Sequence, residues 1–228
     1  MALRAIIFDF DGVIANSEPL HLRAFQDVLA KAGTGLIEKD YYTRYLGFDD
    51  FGVFTTVGAD LGRNWSSREI ADFVADKALR LEQLERDVSV LFPGAADAIR
   101  RAAAAVPIAI ASGALGPEIR RILRRNDLEK HFAAIVSAED TPLSKPAPDP
   151  YQRAVSLLRP HVAGPALQPS ECVAVEDSRW GLESARVAGL RTVAITSAYD
   201  RAELAPYADL VIGSIAELDV KDLHRLVH

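Results

Sequence analysis

The chain has 228 residues, 49% of them hydrophobic and 25% charged, with a formal net charge of −6 and one cysteine. That length suits one large domain, or one domain carrying a smaller insert, with a sizeable core. The acidic balance argues against general nucleic-acid or anionic-membrane binding, the lone Cys172 forbids an intramolecular disulfide, and no apolar run approaches the roughly 18 residues of a membrane span.

The chain opens directly into a strand rather than a signal pattern, so a cytoplasmic location is expected. That strand, Ala5–Asp9, runs into Asp9-Phe10-Asp11-Gly12. Two carboxylates one residue apart repel, and such a pair is eased by a cation or a shared proton. A metal-assisted reaction is therefore the first expectation. The stretch from about Glu18 to Phe92 contains no convincing strand. Ser17-Glu18-Pro19 opens a helix with Phe25, Val28, Leu29 and Ala32 on one face, ended by Gly33. A second helix is predicted from Ser67 to about Leu84, with Ile70, Phe73, Val74, Leu81 and Leu84 inward. These helical residues look like a small lid, tethered through Ala15–Ser17 and Leu91–Pro93.

Beyond it, continuous apolar runs alternate with helical patterns. The predicted strands are Pro107–Ser112, Ala134–Ser137, Cys172–Glu176, Arg191–Thr196 and Asp209–Ile212. Continuous rather than alternating runs suit parallel strands covered on both faces. Cys172 reads as a small buried residue of such a strand. Pro117 starts a helix carrying Ile119, Ile122 and Leu123, and Asp149-Pro150 reads as the N-cap and first residue of another. Ser178 caps a third, closed by Gly189. This is a βαβ rhythm, so the expected fold is a doubly wound, Rossmann-like parallel α/β core. It spans residues 1–16 and 93–228, with a helical cap inserted over 17–92.

The candidate functional residues share one placement, at the carboxyl end of a predicted strand or in the loop after it, where such sheets bind ligands. Asp9 and Asp11 follow the first strand, Ser112 and Gly113 the second, Lys145 the third, and Glu176-Asp177 close the fourth. Asp9 with Glu176 or Asp177 supplies hard oxygen ligands suited to Mg²⁺. The Ser112 hydroxyl and Gly113 amide can donate to phosphate oxygens, and Lys145 adds a positive charge against them. One aspartate can attack phosphorus while the other handles the proton of the leaving oxygen.

Asp9-Phe10-Asp11-Gly12-Val13, Ala111-Ser112-Gly113, Ser144-Lys145-Pro146-Ala147-Pro148-Asp149 and Val175-Glu176-Asp177-Ser178 resemble the four motifs of the haloacid dehalogenase superfamily. The inserted helices are similar to its small α-helical cap. Within it the chain resembles the β-phosphoglucomutase and phosphoglycolate-phosphatase-like hydrolases, whose approach to the cap is similar to Asn16-Ser17-Glu18-Pro19-Leu20-His21. The resemblance implies a Mg²⁺-dependent phosphatase acting on a small phosphorylated metabolite, a sugar phosphate or a phosphoglycolate-like monoester. Asp9 is then the nucleophile forming an aspartyl-phosphate, and Asp11 the general acid and later the base. Ser112 and Lys145 hold the phosphoryl group. The metal is held by Asp9, the Asp11 backbone carbonyl and Asp177, with Glu176 a direct ligand or a partner of one. Asp11 favours phosphate esters, since displacing halide needs no proton donor.

In the cap, Lys77 interrupts an apolar helix face. It either snorkels from the edge of that face or binds substrate, as the cap lysine of β-phosphoglucomutases does. In Leu46-Gly47-Phe48-Asp49-Asp50, acids stand where a sugar-phosphate mutase places an arginine. This favours hydrolysis over mutase activity, with Asp49 and Asp50 expected in a solvated turn rather than a hydroxyl-binding site. His21 is expected to be structural or hinge-related, and Trp65 and Trp180 to be packing residues. The alternatives left open are a phosphomutase and a receiver-like phospho-aspartate signalling module. The expected state is a monomer or weak homodimer with a small phosphorylated substrate and no nucleic-acid or membrane partner.

Overall fold

The computed structural model describes residues 2–45 and 48–227, Asp87 by its backbone alone. The chain divides into two compact units, Met1–Asn16 with Leu91–His228, and Ser17–Val90. No helix among the described residues is long and apolar enough to cross a membrane.

The smaller unit is helical: α1 Glu18–Lys31, α2 Glu38–Asp40, a π-helical turn at Tyr41–Tyr45, α3 Asp50–Asp60 and α4 Ser67–Asp87. The predicted stripe of α1 is its buried face, with Phe25, Val28 and Leu29 joined by Leu22 and Ala24. α4 starts at a capping box. Ser66 Oγ accepts from the Glu69 amide, and the Glu69 carboxylate accepts from the Ser66 amide at 2.7 Å, so two otherwise orphaned amides are satisfied. Aromatic rings hold this unit together. Phe25 and Phe54 lie 5.1 Å apart, Phe54 and Phe73 5.5 Å, and Trp65 and Phe73 5.0 Å.

In the larger unit the six apolar runs form one sheet: β1 Ala5–Phe8, β2 Ile108–Ala111, β3 Phe132–Val136, β4 Cys172–Glu176, β5 Arg191–Ile195 and β6 Leu210–Ile212. Its order is β3-β2-β1-β4-β5-β6 and every pairing is parallel. The expected doubly wound α/β core is therefore present. Every residue of β1, β2 and β4 is buried, which is why their sequences are continuously apolar rather than alternating. The remaining helices are α5 Ala95–Ala105, α6 Gly116–Arg125, α7 Asp149–Leu158, α8 Arg179–Val187, α9 Arg201–Leu204 and α10 Val220–Leu226. Small strand residues (Ala5, Ala109, Ala111, Ala174) pack in one cluster with Tyr151, Ala154, Val155 and Leu158 of α7 and Ala185 of α8.

Chain order runs outward in both directions from the neighbours β1 and β4. Ligands bind outside the carboxyl ends of strands at such a reversal. Register sets Phe8 opposite both Ile110 and Val175, so the residues that follow β1 and β4 emerge side by side.

Two local expectations shift. α7 begins one residue earlier than expected: Pro148 is its N-cap, and Asp149 and Pro150 are its first two residues. Amides of a first turn have no intrahelical acceptor, so the missing N–H of Pro150 costs nothing there. Trp180 is 53% exposed with the Arg179 guanidinium 5.3 Å from its ring centre, so it is not a core residue, whereas Trp65 packs as expected.

Phe54 is wholly buried among these rings. Phe54→Ala is expected to destabilise the helical unit by about 3–5 kcal/mol, read as a lower denaturant midpoint in far-ultraviolet circular dichroism.

Candidate active site

Asp9 directly follows β1, and its amide donates to the Val175 carbonyl of β4 at 2.8 Å. Glu176 ends β4 and Asp177 follows it. Carboxylate oxygens of Asp9, Glu176 and Asp177 lie within 4.8 Å of one another, and all three residues are buried. Asp11 is half-exposed in the turn after β1, bridged to Ala15. The next residue has to be glycine. Gly12 has φ +74°, and a Cβ there would fall 1.8 Å from Asp177 Oδ2. Ser197, after β5, donates from Oγ to the Gly12 carbonyl at 2.6 Å and lies 3.3 Å from Asp177 Oδ2. The acid turn, Asp177 and the β5 loop are thus tied together.

Lys145 is the cation inside this cluster. Its Nζ lies 2.8 Å from Asp9 Oδ1 and 2.5 Å from Glu176 Oε1. The shorter contact is an aligned hydrogen bond. The Asp9 contact is an ion pair by distance, but Oδ1 is buried with no aligned hydrogen-bond donor. Glu176 is fully buried and well supplied with donors. Oε1 accepts from Lys145 and from the Tyr151 hydroxyl at 2.8 Å, and Oε2 from the Asp177 and Ser178 amides and Ser178 Oγ. Gly181 makes room for that carboxylate, since a Cβ there would sit 1.8 Å from Oε1. Ser112 is buried at the end of β2, its amide bonded to the Val136 carbonyl and its Oγ accepting from the Ala114 amide at 3.0 Å. Gly113 beside it is exposed.

Three carboxylates against one ammonium leave excess negative charge in a buried space. At an effective dielectric of ~20, two like charges about 4 Å apart repel by about 4 kcal/mol. Burial and then the Glu176 charge raise the Asp9 carboxyl to about 7, against the opposing pull of Lys145. Burial, then Glu176 and Asp9, push Asp177 well above the usual carboxylate range. Burial works against the charge of Lys145, but Asp9 and Glu176 outweigh it and hold the ammonium above the ordinary lysine value. A hard divalent cation fits these residues: the candidate ligands are carboxylate oxygens, one of them buried with no aligned hydrogen-bond donor, and the charge to be offset is negative.

Lys77 lies in the helical unit. It does not snorkel: it is 1% exposed. Its Nζ lies 2.9 Å from His21 Nδ1, 2.7 Å from Asp50 Oδ1 and 4.7 Å from the Phe25 ring centre. The expected solvated turn is corrected for Asp50, while Asp49 is exposed. Asp49 is the N-cap of α3, accepting from the Gly52 amide at 2.7 Å, and Asp50 is the ion-pair partner of Lys77. A buried ammonium needs a paired carboxylate, and the amides of a helix start need an acceptor. Leu46 and Gly47 lie outside the described residues.

Residues 6–195 match the family model of the haloacid dehalogenase-like hydrolases. The chain belongs to that family. It is 33% identical to the protein CbbY of Rhodobacter capsulatus, over 95% of each chain. Hexitol phosphatase B of Escherichia coli (strain K12) is 30% identical over 96% of each. Among solved structures, a mutant of CbbY from Rhodobacter sphaeroides in complex with xylulose-(1,5)bisphosphate is 29% identical over 96% of each chain, with a TM-score of 0.77. The chain is thus an enzyme of a hydrolase family with curated relatives named as phosphatases.

This haloacid dehalogenase-like site gathers carboxylate oxygens of Asp9, Glu176 and Asp177 within 4.8 Å of one another, with Lys145 paired to Asp9 and Glu176 and Gly12 against Asp177. Ser112 and Gly113 stand at the adjacent strand end, and Lys77 belongs to the other unit. Three supporting residues escaped sequence reasoning. Tyr151, fully buried, holds Glu176 and lies with its ring centre 5.3 Å from Lys145 Nζ; its signal was an aromatic in the first helical turn after the lysine loop, since a buried tyrosine hydroxyl needs a partner. Ser197 was signalled only by polar residues at a strand end. Gly181 had no signal beyond lying three residues after the Ser178 cap.

The raised Asp9 value fixes the sign of a pH effect. Folded protein keeps a proton that the unfolded chain, titrating near 3.8, releases. Stability of the metal-free protein is therefore lost as pH rises from about 4 through about 7. Thermal scans in EDTA are expected to show Tm falling across that window, with a shallower fall in Asp9→Asn and recovery at the high-pH end on adding Mg²⁺.

Proposed function

We propose that the chain is a Mg²⁺-dependent phosphatase for a small sugar-type phosphomonoester, acting by phosphoryl transfer to Asp9. The observation that carries this reading is the buried Asp9 carboxylate. It is flanked by one ammonium and two further carboxylates, with an oxygen that no protein donor is aligned to. Asp9 and Asp177, with the Asp11 backbone carbonyl and Glu176, are the residues that would hold the metal. When bound, the metal offsets the repulsion between an anionic nucleophile and an anionic phosphate.

The chain's own residues then divide the work. The Ser112 hydroxyl, the Gly113 amide and the Lys145 ammonium hold phosphoryl oxygens. An Asp9 carboxylate oxygen forms the bond to phosphorus as the ester oxygen leaves, and the Asp11 carboxyl gives that oxygen its proton. Asp11, now a carboxylate, takes a proton from water as the water oxygen attacks phosphorus of the aspartyl-phosphate. Inorganic phosphate leaves and both aspartates return to their starting states. Glu176, braced by Tyr151 and Ser178, keeps Lys145 placed.

Lys77 and its unit carry substrate preference in this reading, and a sugar-type substrate is supported by relatives of which one is named a hexitol phosphatase and another was crystallised with xylulose-(1,5)bisphosphate. Hydrolysis is favoured over phosphomutase chemistry because Lys77 is already paired with Asp50 and is not an unmatched cation for a second phosphate. Membership of a hydrolase family decides against the receiver-like module.

Phosphate release over a library of phosphorylated metabolites, with Mg²⁺ and with EDTA, tests the reading. Asp9→Asn is expected to abolish release, and Mg²⁺-dependent turnover in that variant would remove Asp9 as nucleophile. Asp11→Asn is expected to slow kcat by roughly 10²–10⁴-fold.

A further inference from the structure

Asp11, the acid of the proposed reaction, sits in a turn that folds back on itself. The Phe10 carbonyl accepts from the Ile14 and Ala15 amides at 2.8 and 2.9 Å, and the Gly12 amide donates to the Ala15 carbonyl at 2.9 Å. All three bonds are internal to the turn and fix its shape. The backbone beside Asp11 is the permissive part: Gly12 has φ +74° and no Cβ to restrict it.

Ser197 ties this turn to the far side of the site. β1, β4 and β5 are consecutive in the sheet, and Ser197 lies just beyond β5, which ends at Ile195. Its Oγ donates to the Gly12 carbonyl at 2.6 Å and lies 3.3 Å from Asp177 Oδ2. It therefore reaches past the carboxylate that follows β4 to the turn that follows β1. A hydroxyl has a single proton to give, and the shorter contact takes it. The approach of Ser197 is itself fastened. The neighbouring Thr196 donates its amide to the Ile212 carbonyl of β6 at 3.2 Å and its hydroxyl to the Gly213 carbonyl at 3.3 Å.

We propose that Ser197 is a positioning residue for the proton-transfer step: by holding the Gly12 carbonyl it fixes the turn from which Asp11 protonates the leaving oxygen. The proposal rests on the phosphatase reading, in which an Asp9 oxygen bonds to phosphorus, the bond from phosphorus to the ester oxygen breaks, and the Asp11 proton goes to that oxygen. Proton transfer depends on placement, and a misplacement of about 1 Å can cost about 10²-fold in rate. Ser197 is exposed, so water can take over its bond to the Gly12 carbonyl when the hydroxyl is removed. The fold then survives its loss, while the anchored donor is gone.

The test compares kcat/KM of the Mg²⁺-loaded full chain for three esters. Glucitol 6-phosphate and phenyl phosphate release basic oxygens that need a proton, whereas the oxygen of para-nitrophenyl phosphate leaves as a stabilised anion. Because kcat/KM is measured from free enzyme and substrate, it reads phosphoryl transfer to Asp9 and not the later attack by water. Ser197→Ala is expected to lower kcat/KM for the two basic leaving groups by roughly threefold to tenfold, the worth of one hydrogen bond. For para-nitrophenyl phosphate, which gains little from a general acid, the expected loss is about twofold or less. Ser197→Thr keeps the hydroxyl and is expected to restore the unmodified values. In an Asp11→Asn background the loss on Ser197→Ala is expected to vanish, since placing an absent acid has no effect. An unchanged ratio among the three esters, as a merely structural serine would leave, overturns the assignment. So does an equal loss in the Asp11→Asn background. Weaker stabilisation by Mg²⁺ in thermal scans, with that ratio unchanged, would tie Ser197 to Asp177 alone and also overturn it. Absence of release from all three esters by the unmodified protein removes the phosphatase reading itself, and the Ser197 assignment with it.

Discussion

Crowding of carboxylates at the carboxyl ends of two neighbouring strands is the constraint on which the larger unit depends. The β1–β4 register brings Asp9, Glu176 and Asp177 within 4.8 Å of one another, and Lys145 lies among them. Much of the surrounding structure answers that repulsion. Gly12 and Gly181 lack side chains where a Cβ would strike Asp177 and Glu176. Tyr151, Ser178 and two backbone amides direct their protons at Glu176. That leaves Glu176 the better-matched partner of Lys145, while Asp9 Oδ1 has charge nearby but no aligned donor. In the proposed reading of Asp9, a nucleophile wrapped in strong hydrogen bonds would be a poorer one. Here the hydrogen bonds converge on its neighbour.

The helical unit solves the same kind of problem with the opposite sign. An ammonium taken out of water needs partners, and Lys77 has His21, Asp50 and the Phe25 ring. Each carries a second duty: Asp50 begins α3, Phe25 belongs to the aromatic core, and His21 lies on α1. The polar cluster and the apolar core of this unit are therefore held by the same helices, and a change in one is felt in the other.

How much was legible in the sequence follows from the range of the interactions. The strands were legible because burial on both faces leaves an uninterrupted apolar run, as in Cys172–Glu176. The site residues were legible because polar groups ending such runs stand out. Lys77 was visible as an anomaly on an apolar face, but its fate was not: pairing with His21, 56 positions away, depends on how α1 and α4 cross. Asp49 and Asp50 look alike in the sequence, yet one caps a helix and the other holds a lysine. The π-helical turn at Tyr41–Tyr45 has no periodic signature of its own. Ser197 lies 185 positions from the carbonyl it binds, a distance no local pattern spans.

The way the chain leaves and rejoins the sheet unit has a further consequence. Ala15 bridges Leu91 in antiparallel fashion, and the Phe92 amide donates to the Ile14 carbonyl at 3.0 Å. Departure and return are thus fastened to each other like the base of a stem. None of the described residues of Ser17–Val90 supplies a strand to the sheet. Such a seam lets the intervening helices change in length or sequence without disturbing the β1–β4 register that sets the acidic cluster.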